Sequence, residues 1–163
     1  MNLVIVYDSV FGNTKELAQT MGAAAASHST VVVKHRGEVT SQDISQADMV
    51  VVASPTRAFN PTPELKEFLK DMAPGSLTGK RVAAWDTRVD VAKVNSKLLS
   101  GMVSLFGYAA PKLLTILKKK GGTAAAEAEG FFVEDKEGPV MPGEAQRAEA
   151  WISTLVKSSG ERS

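Results

Sequence analysis

YDSVFGNTKELA, residues Tyr7 to Ala18, decides how this chain reads. Before it stands MNLVIV, whose Val4, Ile5 and Val6 form an unbroken apolar run. A strand that is apolar without alternation is buried on both faces. After it, Leu17, Ala18, Met21 and Ala24/Ala25 recur at helical spacing. The quoted stretch is therefore a strand-to-helix turn made of small polar residues. Such a turn gathers free backbone N–H groups at the positive end of a helix dipole, which suits an anion and commonly a phosphate. It lacks the GxxxxGK[ST] pattern of a nucleoside triphosphate loop.

The same alternation continues. TVVVKH (Thr30 to His35), Met49 to Ala53 and Arg81 to Trp85 read as strands, and TAAAEAEGFFVE holds a fifth. Between them, RGEVTSQDISQ is a polar stretch. PTPELKEFLKDMAP is a helix with Thr62 as N-cap and Pro63 at its first position. VNSKLLSGMVSLFGY is a short amphipathic helix, PKLLTILKKKGG a second with a glycine stop, and GEAQRAEAWISTLVKS closes the chain. Lys118 to Lys120 read as the solvated last turn of their helix.

Strand–helix repetition gives an α/β chain with a parallel sheet and helices on both faces. The expected architecture is a three-layer α/β/α doubly wound five-stranded sheet of order 2-1-3-4-5, with a ligand at the carboxyl ends of strands one and three. One domain is expected over residues 1–158, followed by a frayed tail at 159–163. The loops after strands one, three and four, SVFGNT, SPTRAFNPTP and WDTRVD, are where the chemistry belongs.

Bulk composition sets bounds. The chain has 163 residues, a size that fits one domain, and 44% hydrophobic residues. It has no cysteine, which removes disulfides, thiol catalysis and thiolate metal sites. The net charge of +1 makes no case for nucleic acid or a membrane surface. No window is expected to reach the length and apolarity of a membrane span, and no signal peptide is read at the start, so a cytoplasmic location is expected. His28 and His35 are isolated, and no metal site is assigned.

These three loops together resemble those of the flavodoxin family, FMN proteins of the short-chain type, over essentially the whole chain. The resemblance implies that FMN is the cofactor. SVFGNT (Ser9, Val10, Phe11, Gly12, Asn13, Thr14) would surround its phosphate. Pro55, Thr56, Arg57 and Phe59 would form the second flavin loop, and Trp85, Asp86, Thr87 and Arg88 the third. Phe59 and Trp85 are candidates to stack on the flavin ring, with core packing the alternative for Trp85. Arg57 and Arg88 fall on the loops that approach ring or substrate. Leu105 to Tyr108 form either a wall near the flavin or an apolar patch for a partner.

Three departures from the family pattern stand out. Phe11 occupies a position where the family usually carries a hydroxyl. The second loop has no glycine, so any peptide rotation there falls on residues that resist positive φ. The chain also lacks the acidic excess of electron-carrier flavodoxins. The expected function is electron transfer through bound FMN to a redox partner protein or a small quinone-like acceptor. The alternatives are an FMN-dependent NAD(P)H:quinone-type reductase and a flavodoxin-fold binding module without FMN. No catalytic side chain is assigned, because the flavin carries the chemistry.

Overall fold

The computed structural model describes residues 1–94 and 96–160. Five parallel positions make up the sheet. β1 (Asn2–Tyr7) lies between β2 (Thr30–His35) and β3 (Met49–Pro55), and β4 (Arg81–Val89) pairs with β3. The order is 2-1-3-4-5, as the strand–helix alternation requires.

The fifth position differs from a single strand. It holds two segments, β5 (Thr123–Ala124) and β6 (Glu129–Val133), and each pairs in parallel with β4. The intervening Ala125 to Ala128 are alanine and glutamate, residues that pack poorly on a pleated surface. β4 is also longer than its apolar core suggests. It runs on through Asp86, Thr87, Arg88 and Val89, so WDTRV is strand and not loop.

Alternate residues serve opposite faces. Leu3, Ile5, Met49, Val51, Ala83 and Trp85 face one core, under α1 (Asn13–Ala25) and α7 (Glu144–Gly160). Val4, Val6, Val50, Val52, Val82 and Ala84 face the other. That side is covered by α2 (Ser41–Gln46), α3 (Pro63–Asp71) and α6 (Ala109–Lys119). The unbroken apolar runs follow from this double burial. The polar stretch after β2 contains a turn of 3₁₀ helix and α2. A reciprocal pair caps α2: Thr40 Oγ1 accepts from Asp43 N–H while Asp43 accepts from Thr40 N–H. Thr62 does cap α3, and its hydroxyl accepts from Leu65 N–H at 3.4 Å.

Two short helices, α4 (Val91–Val94) and α5 (Lys97–Phe106), separate β4 from α6. By length and composition Lys97–Lys119 is apolar enough to cross a membrane, which corrects the expectation drawn from the sequence. The chain breaks at Gly107, whose φ is 73°, into helices of 10 and 11 residues. Each is about 15 Å long, half the hydrocarbon thickness of a bilayer. Lys120 is not merely solvated. Its ammonium donates to the carbonyls of Lys70 and Met72 at the end of α3. Helix α7 reaches Gly160, so Ser159 and Gly160 of the expected tail are helical, and 161–163 lie outside the described residues.

Candidate functional site

A pocket of about 460 Å³ opens at the carboxyl edge of the sheet. Three segments supply most of its wall: the β1–α1 turn, the end of β3 with the loop after it, and the end of β4. Of the residues singled out in the sequence, Ser9, Val10, Phe11, Asn13, Thr14, Pro55, Thr56, Arg57, Thr87 and Arg88 line it.

The β1–α1 turn is shaped by Gly12. Its φ is 95°, a left-handed conformation that an L-residue adopts only at a cost. Ser9 Oγ folds back over the turn and accepts from Gly12 N–H at 3.1 Å and from Lys15 N–H at 3.4 Å. Among the described residues, the N–H groups of Val10, Phe11, Asn13 and Thr14 have no protein acceptor. Four donors at one helix N-terminus, in a loop that lines a cavity, match a phosphate in charge and in hydrogen-bonding type.

Side chains in the same turn are already committed. Asn13 Nδ2 donates to the Glu137 carbonyl at 3.1 Å and ties the β6–α7 loop to α1. Thr14 and Thr87 are buried, with their hydroxyls 2.9 Å apart. The four backbone donors, with the hydroxyl hydrogen of Ser9, whose oxygen only accepts within the turn, are therefore the groups left for an anion. Lys136, brought in by the tethered loop, adds a cation to the lining. Ala58, Val89 and Val133 also line the pocket. Ala58 and Val89 fall within the loops SPTRAFNPTP and WDTRVD but are not singled out there. Val133 carries no signal, and neither does Lys136, because a lysine in the charged run EDKEG reads as solvated surface.

Asp8 supports the turn from below. It accepts from Thr62 Oγ1 at 2.5 Å, Arg36 Nε at 3.1 Å, Ser9 N–H at 2.9 Å and faces His35 Nε2 at 3.1 Å. Burial works to raise its carboxyl, but these bonds outweigh burial and hold it below the usual carboxylate range. His35 is thus the polar neighbour of a buried carboxylate and not an isolated surface residue.

The third segment follows the period of a strand. Trp85 and Thr87 point to the α1 side, Asp86 and Arg88 to the α6 side. Trp85 is 0% exposed and meets Phe131 edge to face at 5.6 Å, so it packs the core and does not reach the cavity. Asp86 is equally enclosed. It takes two bonds from Arg88, at 2.6 and 2.9 Å, and one from Ala110 N–H at 2.8 Å. Burial pushes the Asp86 carboxyl up, and the Arg88 bonds oppose that rise. The Arg88 guanidinium lies 3.6 Å from the Tyr108 ring centroid. It presents a fixed cation to the pocket, with its charge largely matched by Asp86.

The second segment contains the strained turn. Arg57 and Asn60 exchange backbone hydrogen bonds at 2.8 and 2.9 Å. Ala58 and Phe59 between them have φ of 45° and 68°. Two positive φ values in a two-residue hairpin make a type I′ turn, which ordinarily carries Asn-Gly. Phe59 does not line the cavity; its ring meets Phe106 of α5 at 5.6 Å. Arg57 lies over the Phe11 ring at 5.7 Å.

A flavodoxin domain model matches residues 4–100 of this chain, more than half of it. The chain belongs to the flavodoxin family. A flavodoxin from Aquifex aeolicus (strain VF5) is 31% identical over 90 residues, covering 52% of this chain and 49% of the relative. The match thus spans about half the length of that curated flavodoxin. Among solved structures, a flavodoxin from the domain Archaea superposes with a TM-score of 0.77 at 19% identity, covering 97% of this chain and 98% of that one. Oxidised flavodoxin 1 from Bacillus cereus gives 0.73 at 16% identity, over 96% and 98%. At these identities the structural likeness establishes the flavodoxin fold. The unmatched region, residues 101–163, includes most of α5 and everything after it.

Proposed function

We propose that this chain is an FMN-binding flavodoxin-like electron-transfer protein acting in the cytoplasm. The observation that carries the reading is the set of four unpaired N–H donors, on Val10, Phe11, Asn13 and Thr14, at the mouth of a cavity large enough for a flavin. When bound, FMN supplies reversible electron storage on its ring, chemistry that no side chain here offers.

The chain's own residues divide the remaining work. The turn from Ser9 to Thr14 holds the phosphate by backbone N–H groups, with Ser9 Oγ fixing the turn and Lys136 adding charge. Thr87 closes the cavity floor through its pairing with Thr14. Pro55, Thr56, Arg57 and Ala58 bound the ring from one loop, and Arg88 and Val89 from the other. Phe11, exposed beside Arg57, offers a flat surface at the rim. Trp85, Asp86 and Phe59 act through what they position: Trp85 the strand end, Asp86 the Arg88 cation, Phe59 the contact with α5.

The electron partner is a redox protein or a small quinone-like acceptor that meets the flavin at this rim. The absorption spectrum of the purified protein, with and without added FMN, tests the reading. A bound flavin spectrum supports it. A colourless protein that takes up no FMN would leave a flavodoxin fold used as a binding module.

A further inference from the structure

We infer that helix α5 is an interfacial element that seats the protein on an anionic lipid surface beside the pocket mouth. The helix has two apolar stripes. Leu99, Val103 and Phe106 form one, and Phe106 meets Phe59 at 5.6 Å. Leu98, Met102 and Leu105 form the other, at i, i+4 and i+7, and this stripe points into solvent. Leu98 and Leu105 are each 76% exposed, and no residue of α5 is buried. A ten-residue helix that exposes this much leucine has left its apolar face without a partner inside the fold.

Charge identifies the occupant. From Val91 to Ala126 the chain has no arginine and no acidic residue. Of its six lysines, Lys112 and Lys118 to Lys120 belong to α6 and its end, where Lys112 and Lys120 are bonded to carbonyls, and Lys93 and Lys97 are the two beside α5. Lys93 and Lys97, at the head of α5, are exposed. Acidic groups of the same sheet edge, Asp90 and Glu134, Asp135 and Glu137, sit on neighbouring segments and not on the helix. An apolar stripe headed by lysines is the pattern of a helix lying in a lipid interface, with the leucines in the acyl boundary and the ammonium groups at anionic headgroups. A protein partner fits less well. The stripe is only about 10 Å long, and its few side chains fall far short of the ~800 Å² per partner of a stable interface.

The surface continues to the pocket. Exposed Val10 and Phe11 stand on one side of the mouth, Arg57 lies over Phe11, and Phe59 joins that loop to Phe106 of α5. A helix lying on lipid would bring this rim to the membrane. If the FMN reading holds, the acceptor it favours is one dissolved in lipid.

Co-sedimentation of the full chain with vesicles tests the inference. Vesicles of phosphatidylglycerol and phosphatidylcholine in equal parts should retain the protein, pure phosphatidylcholine should retain much less, and 0.5 M salt should release a large share. Leu98→Glu with Leu105→Glu should cut partitioning more than tenfold with unchanged thermal melting. Leu98→Ser with Leu105→Ser should give the same direction without adding charge. Lys97→Gln should cost about fivefold, the value of one lysine near such a surface. The readout is protein mass, so it is independent of whether flavin binds. Equal retention of the double variants, no retention on anionic vesicles, or a dimer in lipid-free sedimentation that the double variants dissolve would overturn the inference.

Discussion

Lys112 of α6 donates its ammonium to the Phe59 carbonyl at 2.6 Å and to Asn60 Oδ1 at 3.0 Å. One cation thus holds a turn whose two central residues both have positive φ without being glycine. The loop beside the pocket is strained by its residues and pinned by a residue 53 positions further on. Strain of this kind costs about 1–3 kcal/mol per residue and persists only where surrounding structure imposes it.

Relieving that strain should stabilise the fold. Ala58→Gly removes a Cβ from an exposed position at φ 45° and should raise the unfolding free energy by about 1 kcal/mol, the usual penalty of the left-handed region. Lys112→Met should lower it by about 1.5–3 kcal/mol, the worth of a charged hydrogen bond. Urea denaturation of the two variants measures both. A neutral Lys112→Met would mean that the turn holds itself.

Arg88 and Asp86 should behave as a unit. Arg88→Met leaves the Asp86 carboxylate enclosed without its partner, a change that costs about 3–5 kcal/mol. Gly130 is the floor on which the guanidinium lies: a Cβ there would overlap Arg88 directly. Gly130→Ala should therefore displace Arg88, and its destabilisation should shrink sharply in an Arg88→Met background. A double-mutant cycle by chemical denaturation reads the coupling. Additive effects would show that Gly130 matters for β6 alone.

Acid should weaken the protein through identifiable carboxylates. Asp8 and Glu144 are held below their ordinary values because hydrogen bonds outweigh burial: those to Asp8 from Thr62, Arg36, Ser9 N–H and His35, and those to Glu144 from Arg147 and Phe132 N–H. Asp43 is lowered to about 2 by Lys34 and by the Thr40 cap. A depressed folded value stabilises fully above the unfolded value and is lost as pH falls through the folded one. Stability should therefore decline below about pH 4, the unfolded range of these groups. The Asp43 share should go last, near pH 2. Melting temperatures from pH 7 to pH 2 check this. Asp8→Asn should flatten the upper part of the decline, and an unchanged slope would remove Asp8 from the account.

Much of this was legible in the sequence, for physical reasons. The runs VIV of β1 and VVV of β3 read as strands buried on both faces and are so, whereas the VVV run of β2 lies at the sheet edge and is only half-buried; the polar SVFGNT turn marks the passage from strand to helix. The ends of β4 and the fifth strand were harder. Asp86, Thr87 and Arg88 look like loop residues because they are polar; their burial rests on two pairings, Asp86 with Arg88 two residues on along one strand face, and Thr87 with Thr14, which is 73 residues away and which no local pattern reveals. Trp85 looked equally suited to a flavin or to a core, and Phe131, 46 residues away, decides between them. A net charge of +1 concealed a stretch of 36 residues with six lysines and no acid. Lys136 sits in a loop that its own backbone bonds shape and that Asn13 ties to α1, a placement no local pattern gives.

Paired titrations of the purified apoprotein with FMN and with riboflavin show whether the turn from Ser9 to Thr14 reads a flavin phosphate. The two ligands share the ring and differ in the phosphate. Two or more charged hydrogen bonds at about 1.5–3 kcal/mol each should make FMN bind roughly a hundredfold tighter or more. Equal affinity for the two flavins, or no binding of either, would mean that this turn does not hold a flavin phosphate.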